Sequence, residues 1–258
     1  GLNPMGASTL AILVALLAWL FVPHLEALGG EQLWTTPLVA GGLVLAVCGY
    51  GAATVRTTAA HPTGSSLSYS VDADSGNAWL SGYASGFGAG AWVRSALASA
   101  GQDTVVPAWI RRIAGTRRMV RVPTVSGFAA PTATVTSDSV VANGRRVVIR
   151  VRPGPGTRAI GISADSGTII ATEIDGRPVE TSRYRRAPRR WALEFIAPPE
   201  TGFTLALTVP ADSRRELNLV ARIDGIPVHP GMTIPPRPVG VIPIQSGDLT
   251  LVYRRFRF

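Results

Sequence analysis

Two long apolar runs come first along the chain, and a period-two alternation of apolar and polar positions takes over after them. Residues 5–22 are apolar except for the hydroxyls of Ser8 and Thr9. At about 1.5 Å per helical residue, such a run approaches the roughly 30 Å of hydrocarbon in a bilayer. It therefore predicts a spanning helix. No positively charged segment precedes it and no small-residue cleavage site follows it, so the pattern is not that of a cleaved signal. Pro23 ends the run, a connector with His24, Glu26, Gly29, Gly30 and Glu31 follows, and Trp34 stands at an interfacial position. Pro37 opens a second run over residues 38–55, in which Cys48, Tyr50 and Thr54 are the mildly polar positions. The two runs predict a transmembrane helical hairpin over residues 1–56. Gly42 and Gly49 share one helical face, with Gly41 and Gly51 beside them, a surface on which another helix can approach closely. The opening Gly1, with an apolar run starting almost at once, is what is expected of a piece of a longer protein.

The period then changes. Leu67, Tyr69 and Val71 alternate with Ser66, Ser68 and Ser70, and the turn formers Asp72, Asp74 and Gly76 precede Ala78, Trp79 and Leu80. This predicts a β-hairpin over residues 65–84. Residues 86–100 begin Gly-rich and become helix-compatible around positions 92–97. Trp109, Ile110, Ile113 and Met119 are interleaved with Arg111, Arg112, Arg117 and Arg118. That stretch has two readings, a segment on anionic headgroups and a solvated basic connector beside a packed edge. Clean alternation returns at Val147, Ile149 and Val151; at Trp191, Leu193 and Phe195; at Phe203, Leu205, Leu207 and Val209; and at Leu217, Leu219, Ala221 and Ile223. Pro and Gly clusters at 153–156 and 198–199 separate these stretches, as strands of an antiparallel sandwich with one apolar face require. The expected fold is two transmembrane α-helices followed by a mainly antiparallel β-sandwich domain. Its parts are a helical hairpin (1–56), a junction hairpin and connector (57–118) and the sandwich (119–258). Residues 174–179 and 223–228 share the pattern I-D-G-x-P-V, read as turn chemistry and not as a repeat.

Charge sharpens this division. All 25 basic residues are Arg and lie from Arg56 onward, so the positive excess behind the chain's net charge of +9 belongs to the C-terminal part. Arg-only usage beside much Ala, Gly and Val matches a compositional bias. No helix-turn-helix, zinc-finger or RNP pattern accompanies it, so nucleic acid is not an expected partner. The cluster of Arg183, Arg185, Arg186, Arg189 and Arg190 around Tyr184 reads as an exposed loop beside a strand. Arg56 after the second run would, by the positive-inside rule alone, lie in the cytoplasm. Cys48 is the single cysteine, which rules out an intrachain disulfide.

Hydrolytic chemistry finds no constellation in this chain. His24, His61 and His229 lack a second ligand at the spacing a zinc site needs, and no H-E-x-x-H occurs. Ser85-Gly86 and Ser166-Gly167 do not form a nucleophile elbow. The glycines at 86–90 have no following Lys-Ser or Lys-Thr to make a phosphate loop. Asp72 and Asp74 lack the further oxygens of a calcium loop and read as turn carboxylates. No catalytic, cofactor-binding or metal-ligating residue is therefore expected.

Several segments together do resemble a known group. His61-Pro62, Ser66-Leu67-Ser68-Tyr69, the turn from Asp72 to Gly76, and Ala78-Trp79 are similar to the post-membrane signature of membrane-bound zinc aminopeptidases, the vacuolar membrane protease-like metallopeptidases of family twenty-eight. Gly225 to Gly231, Arg237-Pro238 and the G-D-L-T-L-V run ending at Val252 resemble the G-L-P, R-P and D-x-T-L-V positions of that family's C-terminal domain. The resemblance covers most of residues 61–258. It implies a zinc exopeptidase domain ahead of the membrane helices, with two metals bridged by a carboxylate and a Glu as general base. Zinc is thus expected in that domain and not in this chain. The implied role is a non-catalytic C-terminal membrane and accessory β-domain, integral to the membrane, with the β-domain on the non-cytoplasmic side. Implied partners are membrane lipid, upstream transmembrane helices and the peptidase domain, with peptide substrate reached only through the parent. The alternative is a standalone membrane-anchored extracytoplasmic binding module.

Overall fold

The computed structural model describes residues 58–85, 87–105, 107–114, 118–164, 169–180, 191–211, 215–244 and 247–258, together with residues 41, 42 and 44. In chain order the elements are β1 (Thr63–Asp72), β2 (Asn77–Ala84), α1 (Phe87–Ala100), β3 (Gln102–Asp103), α2 (Ala108–Ala114), β4 (Met119–Val122), β5 (Thr132–Val141), β6 (Gly144–Arg152), β7 (Thr157–Ala164), β8 (Ala171–Ile174), β9 (Arg177–Pro178), β10 (Ala192–Ile196), β11 (Phe203–Val209), β12 (Glu216–Asp224), β13 (Val241–Pro243) and β14 (Leu249–Arg257).

The expectation of two transmembrane helices ahead of the sandwich is corrected by this architecture. The described chain is built mainly of strands, and among the described residues no helix is long and apolar enough to cross a membrane. At about 1.5 Å per residue, α1 is about 21 Å long and α2 about half that, short of a bilayer's hydrocarbon. The runs at 5–22 and 38–55 lie outside the described residues, apart from helical backbone at positions 41, 42 and 44.

The chain divides into two compact units. The first comprises Gly1–Gly64, Ala84–Ala91 and Arg237–Ile242. Within it the amide of Thr63 donates to the Gly240 carbonyl at 2.8 Å, and Ser85 returns to Gly64 through its own amide at 2.8 Å. Gly240 has φ +85°, and a Cβ there would stand 2.6 Å from the Thr58 carbonyl, so the position demands glycine.

The second unit comprises Ser65–Tyr83, Trp92–Pro236 and Pro243–Phe258. Strands β10, β7, β12, β14, β1, β2, β4 and β3 are hydrogen-bonded neighbours in that order, and β13 adds a ninth strand to the sheet beside β1. A five-stranded sheet runs β5, β6, β11, β8, β9. Alternation explains how the two sheets meet. Ile160, Ile162, Ala164, Leu217 and Leu219 on one face of the larger sheet pack with Val147, Ile149, Val151, Phe203, Leu205, Leu207 and Val209 of the smaller one. Phe195 joins them, its ring edge-on to Phe203 at 4.7 Å. The sandwich core is thus made by the strands whose alternation is cleanest.

The expected hairpin is present as β1 and β2, and its burial exceeds a one-faced pattern. Leu67, Tyr69 and Val71 are buried, and so are Ser66, Ser68 and Ser70. The cause is position: β1 lies between β2 and β14, covered on both faces. On the Leu67 face α1 packs so closely that a Cβ at Gly82 would meet Val93 Cγ1 at 2.3 Å and Leu67 Cδ2 at 3.1 Å. On the other face Trp109 and Ile110 of α2 pack with Trp79, Met119, Val220, Leu251 and Tyr253. The pairing of β1 with β14 is parallel, from Ser68↔Leu249 to Asp72↔Tyr253. At its start the Asp248 carboxylate accepts the Leu67 amide at 2.9 Å. At its far end Ala73 donates to the Tyr253 carbonyl, and the Arg255 amide donates to Asp74 at 2.8 Å.

The Asp72 carboxylate acts locally, as its spacing predicts, whereas that of Asp74 is taken up by the distant Arg255 amide. Asp72 Oδ1 accepts the amides of Asp74 at 2.9 Å and Ser75 at 3.3 Å, and Gly76 closes the turn at φ +71°. The two I-D-G-x-P-V copies diverge in geometry. Asp175 and Gly176 both have positive φ, +48° and +76°, and form the two-residue loop between β8 and β9. In the second copy Gly225 alone has positive φ, and its amide donates to the Asp248 carbonyl.

Gly82→Ala is expected to destabilise the protein by about 1–3 kcal/mol through overpacking against the stiff Val93 side chain. Combining it with Val93→Ala should recover part of that loss, a non-additivity that urea unfolding of the two single variants and the double variant measures.

Candidate functional site

The face of the larger sheet turned away from the smaller one is set by parity. Ala192 and Glu194 of β10, Gly161 and Ser163 of β7, Asn218, Val220 and Arg222 of β12, and Tyr253 of β14 alternate with the core-facing residues and share this side. On β7 the outward residues Gly161 and Ser163 are small, with Glu194 standing on one side of them and Asn218, Val220 and Arg222 on the other. The result is a groove of about 560 Å³ bounded by Trp109 and Tyr253 on one flank and by Glu194 on the other.

The aromatic flank is built from α2. Trp109 stacks on Tyr253 with ring centroids 4.4 Å apart and planes at 7°, and meets Trp79 edge-on at 6.3 Å. Both rings are buried, at 7% and 1% exposure, and the faces they turn to each other are closed to a ligand. The Tyr253 hydroxyl donates to Asn218 Oδ1 at 2.6 Å, and Asn218 Nδ2 donates to the Ser163 carbonyl at 3.4 Å. Burial pushes the Tyr253 phenol above its ordinary value, partly offset by the Arg255 guanidinium donating to its oxygen at 3.4 Å. Across the floor the Glu194 carboxylate reaches over Gly161 to Arg222, 2.5 Å away. Without a side chain at Gly161, β10 and β12 can be bridged above the strand between them.

This arrangement can hold a ligand. Among the described residues that line it, no hydrogen bond pairs a nucleophile with a base. His229 lies elsewhere, on an exposed loop where its Nδ1 accepts the Gly231 amide. Among the described residues no three His, Cys, Asp or Glu side chains converge on a point that could hold a metal ion. The hydroxyls of Ser70 and Ser81 and the Trp109 indole nitrogen are buried and meet no hydrogen-bond partner among the described residues. The Arg cluster at 183–190 and Cys48 lie outside the described residues.

Of the two readings of the Trp109 stretch, the structure favours the packed one: Trp109 and Ile110 are buried, and Arg118 pairs with Asp103 at 2.8 Å. The groove residues on β7 were not singled out by the sequence. The small residues Gly161 and Ser163, alternating with Ile160 and Ile162, were the available signal, together with Asn218 between two core leucines.

No family model and no curated protein matches the chain. Among solved structures, a conjugative transposon lipoprotein from Bacteroides eggerthii is similar at 16% sequence identity and a TM-score of 0.26, over 50% of this chain and 95% of that one. A TM-score of that size carries no argument about fold or role.

Tyr253→Phe removes the hydrogen bond that the phenol gives Asn218 Oδ1 and is expected to cost about 0.5–1.5 kcal/mol at neutral pH, read from the urea midpoint. It should also flatten the alkaline limb of stability. Burial holds the Tyr69 and Tyr253 phenols above the ordinary 10.0, so the folded protein keeps protons that the unfolded chain releases near that value. That contribution is complete below about pH 10 and is lost as pH rises through the folded values. The variant retains only the part due to Tyr69.

Proposed function

We propose that this chain is a non-catalytic accessory β-domain of a zinc-dependent aminopeptidase, holding and bracing the peptidase domain on the non-cytoplasmic side. The observation that carries the reading is the convergence of the segments that resemble that family. Residues 66–69 and 247–252, far apart in sequence, are adjacent in space in β1 and β14, with the Asp248 carboxylate on the Leu67 amide. Segments with such a role mark a folding unit, which is what an accessory domain shares with its relatives when it shares no chemistry.

A second reading, a binding module that serves no peptidase, is favoured by the groove between Trp109 and Glu194. The two part on one experiment. Native protein is isolated from its source with antibodies to the β-domain, and its zinc content and chelator-sensitive hydrolysis of aminoacyl anilides are measured. Zinc and activity should co-isolate with the domain, and the 258-residue chain produced alone should show neither. Native material without zinc and without hydrolysis would overturn the aminopeptidase reading in favour of the binding module. Hydrolysis by the chain alone would overturn its non-catalytic part.

A further inference from the structure

The outer edge of β10 differs from the other sheet edges. β3 is two residues long, β9 is two residues long and ends in Pro178, and β5 carries a register shift between Val135 and Ser137. Short strands, proline and bulges are the devices by which proteins blunt edge pairing. β10 has none of them: Ala192–Ile196 runs in unbroken register with β7 and contains no proline and no bulge.

The ladder shows which backbone groups remain. The Ala164 amide donates to the Trp191 carbonyl, and the Ala197 amide donates to the Arg158 carbonyl. Both fall in the register that pairs Leu193 with Ile162 and Phe195 with Ile160. In an antiparallel ladder the mutually bonded pairs alternate, so the odd-numbered residues of β10 bond to β7. The N–H and C=O groups of Ala192, Glu194 and Ile196 therefore point outward, and no strand pairs with them among the described residues. Ile196 is 69% exposed. The side chains of Ala192 and Glu194 line the groove, so a strand added to this edge would direct the residues opposite them onto the same face.

We propose that β10 is a docking edge for an extended polypeptide segment, bound by strand addition through Ala192, Glu194 and Ile196, with an apolar side chain opposite Ile196 and its neighbours overlying the groove. A glycan is the poorer occupant, because what β10 turns outward is backbone N–H and C=O at strand spacing, which an extended polypeptide matches and a sugar does not. The proposal stands whether or not the chain serves a peptidase.

The test uses the whole chain and a fluorophore-labelled, acetylated peptide of alternating valine and threonine, followed by anisotropy and amide hydrogen exchange. Binding should slow exchange at Ala192, Glu194 and Ile196 by at least about tenfold. Methylating alternate backbone nitrogens of the peptide should abolish it. Ala192→Pro removes an outward N–H that β7 does not use, so it should fold and bind at least about tenfold more weakly, in keeping with the tolerance of edge strands for proline. If that variant does not fold, the methylated peptide on the unaltered chain decides. The proposal is overturned by no binding at millimolar peptide, by binding indifferent to methylation, or by protection mapping away from β10. Saturable binding of a chito-oligosaccharide in the groove in place of the peptide would overturn it too, as would a dimer of the chain that already protects these amides.

Discussion

The parallel pairing of β1 with β14, fixed at its start by the Asp248 carboxylate on the Leu67 amide, is the contact on which the larger sheet depends. β14 bonds β12 on its other side over nine residue pairs. Remove it and the sheet falls into two fragments, β10-β7-β12 and β1-β2-β4-β3. The first carries the apolar face that packs on the smaller sheet, and the second carries the strands that α1 and α2 cover. Sandwich and helix-covered half are one sheet because of a single strand. The side chains of that strand serve both halves: Tyr253 stacks under Trp109 and hydrogen-bonds to Asn218 of β12.

The groove follows from size more than from polarity. Gly161 and Ser163 leave a trough on β7, and the absence of a side chain at Gly161 lets Glu194 reach Arg222 across it. Exposed ion pairs of this kind contribute little to stability. Here the pair matters for shape, since it spans the trough at Gly161, opposite the flank that Trp109 and Tyr253 form. A site assembled in this way offers hydrogen bonds and contour to a ligand, and free backbone edge beside it.

What the sequence disclosed and what it withheld divide along a physical line. Strands β6, β11 and β12 were legible because each keeps its large core side chains at alternate positions, although the other face of β12 is buried as well. The turn at Asp72, Asp74 and Gly76 was legible because its chemistry is local. The buried serines of β1 were not, since small hydroxyl residues look the same whether they face solvent or a close-packed helix. Parallel pairing with β14 was hidden as well, because register between distant strands leaves no local mark. Trp109 read as interfacial or connecting because its stacking partner lies 144 residues further on. The I-D-G copies looked equivalent, and backbone angles at Asp175 showed that only the first is a two-residue hairpin. The largest revision concerns the helices. Apolar length at 5–22 and 38–55 pointed to membrane spans, whereas the helices of the described residues, α1 and α2, are short and cover the sheet.

The reach of 181 residues between Leu67 and Asp248 also governs the order in which the molecule can be assembled. During synthesis the β1–β2 hairpin emerges long before residues 249–257 exist, so its outer edge waits unpaired while the rest is made. Loop-closure entropy over that span must be met before the pairing returns anything, which places this step late and makes it slow relative to hairpins such as β8–β9. A half-made chain thus displays the inner edges of its largest sheet, the species in which mispairing and aggregation begin. The four serines between 65 and 70, polar in an otherwise buried strand, lower the hydrophobicity of that waiting edge until β14 arrives.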